Sequence, residues 1–287
     1  MMNPIKTIRR LIRRTPVVPV IRLTGVIGAI TPLRPGLTLT NIATALDRAF
    51  SMAEEAVAIQ INSPGGSAVQ SRLIFQRIRD LARQKNLRVY MFAEDVAASG
   101  GYMIMCAGDE LYADSSSIVG SIGVIYAGFG FVDLINKIGV ERRVHTAGER
   151  KMMLDSFQPE KAEDIHRLKA LQAVIHEDFI DLVRDRRGKK IEAADGQLFT
   201  GEFWSGRQAF ELGLIDGIMD VRTKMRELYG DKVRLRLVSA ERGLFRRRSP
   251  GVISALDVSL AGHAAMSIAD DAISAIEARA IWARFGF

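Results

Sequence analysis

The sequence predicts an α/β fold built on a parallel sheet, and three observations carry that prediction. Val57-Ala58-Ile59-Gln60-Ile61 has the pattern of a buried strand. It runs into a glycine turn, Asn62 to Gly66, and then a helix that turns Val69, Leu73, Ile74, Ile78 and Leu81 inward. The unit then repeats: Arg88 to Ala93 reads as a strand, and Ala97-Ala98-Ser99-Gly100-Gly101-Tyr102 is a second small-residue turn ahead of the apolar run Met103 to Ala107. The composition, 48% hydrophobic and 25% charged over 287 residues, is that of a chain able to bury a core, which excludes disorder as the default. Repeated strand, turn and helix imply crossover βαβ units whose functional loops leave the C-terminal ends of the strands, side by side for consecutive units.

The remaining elements follow in order. Val17 to Ile30 reads as a first strand bent at Gly25 and Gly28 and broken by Pro32 to Gly36. A helix follows, capped by Asn41, with Ile42, Leu46, Ala49, Phe50 and Ala53 on its buried face. Beyond Ser99, Leu111 to Ala113 is a short strand and Ser115 to Ile125 a small-residue loop and strand. Phe131 to Ile138 is helical, and Arg142 to Thr146 reads as a strand leading to Lys151. Ile165, Leu168, Leu171, Ile175, Phe179 and Leu182 mark a long amphipathic helix between Pro159 and Arg187, placed on the sheet or on a neighbouring subunit. Arg207 to Leu212 is a short helix stopped by Gly213, and Val233 to Val238 is the last strand.

Domain organisation is read as a basic amphipathic arm (1–16), the α/β domain (17–240), a charged linker (241–251) ending in Ser249-Pro250-Gly251, and an alanine-rich helical tail (252–287). The tail has three resting places open to it: its own domain, a membrane surface or a partner subunit, the last being favoured. The net charge of +7 is clustered at Lys6, Arg9, Arg10, Arg13 and Arg14 and again at Arg242, Arg246, Arg247 and Arg248, which suggests an anionic partner. Ile5, Ile8, Leu11 and Ile12 among the first cluster suit peripheral contact with an acidic membrane surface, with a solvated arm as the alternative. Nucleic acid is not expected, because the basic clusters lack interleaved aromatics.

The longest uncharged run, Ser115 to Val132, is 18 residues of which eight are Ser or Gly, a poor lipid-facing helix. With no transmembrane segment and no signal peptide seen, the expectation is a cytoplasmic protein, peripheral at most at the inner face of the membrane. The single cysteine, Cys106, fits a reducing compartment and a small core residue.

Chemistry centres on Ser99. A nucleophilic serine needs its hydroxyl held clear of its own element and backbone N–H groups beside it to receive an oxyanion, and small neighbours permit that approach. Alone, such a turn can equally be a tight entry to a buried helix. Taken with Asn62-Ser63-Pro64-Gly65-Gly66-Ser67, Val119-Gly120-Ser121-Ile122-Gly123, Ala147-Gly148-Glu149-Arg150-Lys151 and Gln208 to Asp216, it resembles the signal peptide peptidase A family of serine–lysine proteases, from about Val17 to Val238.

That resemblance implies the Clp protease/crotonase-like spiral of βαβ units, which periodicity alone does not distinguish from a doubly wound sheet, here with a C-terminal helical extension. It also implies that Ser99 is the nucleophile and that Lys151, 52 residues downstream, is the general base. Ser121 matches the position that holds the lysine amine, and the Gly65-Gly66 turn with Gly100 supplies the oxyanion hole. Relatives form rings, so a homo-oligomer is expected, with hydrophobic peptides such as cleaved signal peptides as substrates.

An exposed lysine titrates near about 10.4, so a lysine base requires burial that lowers it to roughly 7–8. Met152, Met153, Leu154 and the uncharged 115–132 stretch are the expected lining. Where the related Clp subunit carries a histidine base, this chain has Val124. Of His145, His166, His176 and His263 only His145, beside the Lys151 loop, competes as a base. Asp95 and Asp114 read as turn or cap residues. No metal or cofactor is implied. Two other classes stay open: an acyl-transfer enzyme on the same fold, and a membrane-surface scaffold with a retired site.

Overall fold

A computed structural model describes residues 15–28, 36–148, 150–191, 195–239, 275–276 and 278–287. The basic arm up to residue 14, the linker and most of the tail lie outside them.

The predicted repetition is present. Strand β1 (Val17–Thr24) leads to helix α1 (Leu39–Met52), β2 (Ala56–Ser63) to α2 (Ala68–Lys85), and β3 (Arg88–Ala98) to the short α3 (Gly100–Met105). There follow β4 (Glu110–Ala113), β5 (Ile118–Gly120), α4 (Val132–Lys137), α5 (Ala162–Arg187), α6 (Asp195–Leu198), β6 (Phe203–Ser205), α7 (Gly206–Glu211), β7 (Gly217–Ile218), α8 (Val221–Tyr229) and β8 (Arg234–Leu237). They make one eight-stranded sheet in the order β6-β5-β3-β2-β1-β8, with β4 pairing β3 and β7. Every pairing is parallel except β5 with β6, which is the α/β architecture of crossover units expected from the sequence.

Strand β3 is longer than its apolar run, because it serves two partners in succession. Tyr90 to Ala93 pair with Glu110 to Ala113 of β4, whereas Val96 to Ala98 pair with Ile118 to Gly120 of β5. The Asn62 side chain spans the change of partner, donating to Asp95 at 2.6 Å and accepting the Val96 N–H at 3.2 Å. Ser117 Oγ donates to the Glu94 carbonyl across the same break.

One face of the sheet is covered by α1, α2, α3 and the C-terminal half of α5, whose Phe50, Ile74, Ile78, Ile104, Phe179 and Val183 join Ile59, Ile61 and Met91 in the main core. The other face is closed by α8, with Met225 against Tyr90, Phe92 and Tyr112. Tyr102 is fully buried, and its hydroxyl donates to the Leu214 carbonyl at 2.8 Å, tying α3 to the chain beyond α7. Cys106 lies in this core as expected, and burial pushes its thiol up to about 12. At the far end of α5, the buried Arg187 guanidinium donates to the Gly213 carbonyl and to Asp216 at 2.8 Å.

Several expectations are corrected. The cap of α1 is Thr38, whose hydroxyl accepts the Asn41 N–H, and the Asn41 side chain donates to the Gly36 carbonyl instead. Val69 and Leu73 are exposed rather than inward, because α2 turns Ser71, Ile74 and Ile78 to the sheet. Residues 142–146 form no strand, having no neighbouring strand to pair with. Leu171 is exposed, since only the last two and a half turns of α5, from Phe179, reach the core. The described end of the tail packs on its own sheet: Phe285 covers Val96, Ala98 and Ile118, with its ring edge-on to Phe203 at 5.1 Å.

Candidate active site

Strands β2, β3 and β5 end together, and parallel register decides what meets there. Ser63 pairs with Ala97 and Ala98 pairs with Gly120. The residues one step further on, Ser99 and Ser121, therefore leave adjacent strand ends, with the Gly65-Gly66 turn on the other side of Ser99.

Ser99 sits between β3 and α3 with φ 51° and ψ −123°, a region that residues with a Cβ enter only under constraint. Two bonds impose it: the Ser99 N–H donates to the Gly120 carbonyl at 2.7 Å, and the Ser99 carbonyl accepts the Met103 N–H at 3.0 Å. The turn lifts the half-buried side chain out of the sheet ladder, as a nucleophile requires.

The glycines around it leave no room for side chains. A Cβ on Gly100 would lie 2.3 Å from Ser71 Oγ, and one on Gly66 2.1 Å from the Ile27 carbonyl oxygen. Ser63, fully buried, shapes this turn, its hydroxyl donating to the Gly25 carbonyl at 2.7 Å. It also accepts the Gly65 N–H at 3.3 Å, so that amide is engaged within the turn in this structure. The Gly66 and Gly100 amides donate to no acceptor among the described residues.

Ser121 is buried, with φ 54°. Its N–H donates to the Glu202 carbonyl at 2.7 Å, and its hydroxyl has no bond among the described residues. The next carbonyl, of Ile122, lies 3.0 Å from His176 Nε2 on α5. His176 was not singled out by sequence reasoning, since nothing in the chain separates it from other polar positions on that helix. Its only signal is its place three residues before Phe179, the first core residue of the stripe. His145 and His166 are exposed.

Lys151 departs most from expectation. It lies exposed in a turn where its N–H donates to the Gly148 carbonyl at 3.2 Å, and Met153 beside it is exposed as well. No hydrogen bond or ion pair joins it to Ser99 or Ser121 among the described residues, so the apolar lining expected around its amine is not assembled within one chain. Its segment packs on itself: Phe131 and Phe157 rings stand 5.4 Å apart, Arg142 lies over Phe157, and Arg142 also pairs with Asp155, whose carboxyl it holds below the usual range. Asp95 and Asp114 have structural roles: Asp114 accepts the Ser116 N–H at 2.8 Å in a turn, and Asp95 receives Asn62.

A model of peptidase family S49 matches residues 81–233. The chain is 54% identical over 272 residues to a Brucella abortus protein named Na(+)/H(+) antiporter NhaA, covering 94% of this chain and 37% of that protein. It is 32% identical over 206 residues to a candidate protease of Synechocystis sp., covering 68% of this chain and 72% of the relative. It is 33% identical over 168 residues to the chloroplastic serine protease SPPA of Arabidopsis thaliana, covering 57% of this chain and 24% of that one. The chain thus spans little more than a third of the Brucella protein.

Proposed function

The chain belongs to peptidase family S49, and on that premise we propose that it is a serine endopeptidase with Ser99 as nucleophile and Lys151 as general base. The observation that carries the reading is the constrained Ser99 elbow set against the Gly65-Gly66 turn, with two unengaged amides, of Gly66 and Gly100, beside it. A neutral Lys151 amine, held by Ser121 Oγ, takes the Ser99 proton as Oγ attacks the peptide carbonyl. The carbonyl oxygen becomes an anion received by the Gly66 and Gly100 N–H groups. The intermediate collapses with protonation of the leaving amine, and water then releases the acyl group from Ser99.

We further infer that the working enzyme is a homo-oligomer. Lys151 is exposed in the single chain and must be desolvated to act as a base. Its segment and the start of α5 leave Ile125, Phe129, Leu134, Ile138 and Val174 more than half exposed. Asp155 Oδ2 is buried with no partner among the described residues. Contact with a second copy would cover these apolar side chains and dry the lysine. Substrates are proposed to be hydrophobic peptides such as cleaved signal peptides, in line with the exposed Val69 one turn beyond Gly66.

Among the described residues no helix is long and apolar enough to cross a membrane. The antiporter name belongs to the Brucella protein, and ion exchange is not proposed here. The basic arm is proposed to rest on an anionic membrane surface.

Turnover of a fluorogenic hydrophobic peptide by the intact chain, by Ser99→Ala and by Lys151→Ala tests the reading. Cleavage lost in both variants supports it. Cleavage that survives Lys151→Ala removes the lysine as base.

A further inference from the structure

We propose that His176 is a positioning residue for the reaction: its ring, bonded to the Ile122 carbonyl, fixes the loop that holds Ser121 beside Ser99. This rests on the reading of Ser99 as nucleophile.

Ser121 needs holding. Its φ of 54° is unfavourable for a residue with a Cβ, so the loop keeps that geometry only while its neighbours impose it. On one side the restraint is the Ser121 N–H bond to Glu202, and within the loop it is the Gly123 N–H bond to the Ser121 carbonyl at 3.0 Å. On the remaining side it is His176, whose Nε2 lies 3.0 Å from the carbonyl oxygen of the next residue, Ile122, 54 positions earlier in the chain. The ring is delivered by a rigid element, because Phe179, Ile180 and Val183 seat the following turns of α5 in the core.

The bond also defines the role. A carbonyl oxygen only accepts, so Nε2 carries the proton and donates it to Ile122. That nitrogen is committed to the backbone, and His176 acts through Ser121 rather than as the base itself. The arrangement therefore differs from a serine–histidine pair.

The test compares the full chain with His176→Ala, His176→Gln, Ser121→Ala and the double variant Ser121→Ala/His176→Ala. Two readouts are taken: the rate at which a fluorophosphonate probe acylates Ser99, located by peptide mapping, and amide exchange over residues 119–124. His176→Ala is expected to speed exchange of that segment and slow acylation, each about tenfold, and His176→Gln, which keeps a donor, to recover most of both. In the Ser121→Ala background the histidine change should have no further effect on acylation, since the two act as one unit.

Unchanged exchange in His176→Ala, or an undiminished additional loss in the double variant, overturns the proposal. If His176→Ala does not fold, His176→Gln decides, because wild-type exchange with a Gln donor supports the bond and accelerated exchange rejects it. Probe found away from Ser99 would reject both the nucleophile assignment and the catalytic role of His176, whereas loss of the coupling alone rejects only the latter.

Discussion

Gly65 and Ser99 face each other at a separation that only a bare α-carbon permits: a Cβ added at Gly65 would stand 2.7 Å from Ser99 Cβ, 3.0 Å from the Ala98 carbonyl oxygen and 3.0 Å from the Gly100 amide nitrogen. Two of those three atoms are backbone and cannot step aside, and Gly65 itself has φ +100°. Gly65→Ala is expected to push Ser99 and the Gly100 donor out of place and to lower the acylation rate by about 10²–10³, the cost of losing an oxyanion donor. Rates within threefold of the parent would show that the turn does not serve the serine.

Gly100 offers a contrasting case. Its added Cβ would meet a side-chain atom, Ser71 Oγ, at 2.3 Å, with Ser71 Cβ and Ile27 Cδ1 at 3.3 Å. Gly100→Ala should therefore impair acylation but be partly rescued by Ser71→Ala, which removes the offending oxygen. Absence of rescue would place the damage in the backbone instead.

The constrained backbone of Ser99 predicts a stability cost. Glycine accepts φ 51°, ψ −123° freely while alanine does not. Ser99→Gly should thus be more stable than Ser99→Ala by about 1 kcal/mol, within the range for a strained backbone position, with both inactive. Equal urea midpoints for the two would mean that the elbow is unstrained.

Asp216 gives a pH dependence with a definite sign. Burial alone would raise its pKa, but hydrogen bonds from Arg187 and Lys190 outweigh it and hold the carboxyl below the ordinary value. A depressed folded-state pKa means the stabilisation is complete above the unfolded value of about 3.9 and is lost as pH falls through the lower, folded value. Urea midpoints should therefore be flat in this respect from pH 7 to 5 and fall more steeply below about 4 in the parent than in Asp216→Asn. Arg187→Met should cost toward the lower end of about 3–5 kcal/mol, because it strips a buried carboxylate of one partner while Lys190 remains.

Dilution tests the proposed assembly. If a second copy covers Lys151, specific activity should fall as the chain is diluted below the dissociation constant of the assembly, in step with sedimentation or scattering mass. Activity independent of concentration in a monomer would require the 124–160 segment to close over the lysine within one chain.

What the sequence disclosed and what it concealed divide along physical lines. Ile59, Ile61, Ile74, Ile78 and Phe50 repeat at strand and helix periods, so their elements and inward faces were legible. The meeting of Ser99 with Gly65 was also legible, because both stand at exits of consecutive parallel strands. Strands β6 and β7 are three and two residues long and leave no period to read. Helix α8 carries so much charge that only its contact with Tyr90 and Phe92 reveals its buried Met225. Lys151 and Leu171 stand in segments whose local patterns promised burial, yet both are exposed in the single chain. His176 depends on a contact 54 residues away that no local pattern encodes.

The β1–β8 pair has a consequence for how the molecule comes into being. Val17 pairs with Arg234, and Val20 with Leu237, so nearly the whole domain lies between the two partners. Of the eight strands β1 emerges first, and it keeps a bare edge until β8 leaves the ribosome, while β2 can already pair on its other side with β3 beyond it. Such a closure across the full length of the domain belongs to the slow, non-local class of folding steps. It also leaves an unpaired strand edge open to misassociation until β8 arrives. Truncation just before Arg234 should accordingly leave a largely formed sheet that aggregates, rather than a chain that fails to collapse.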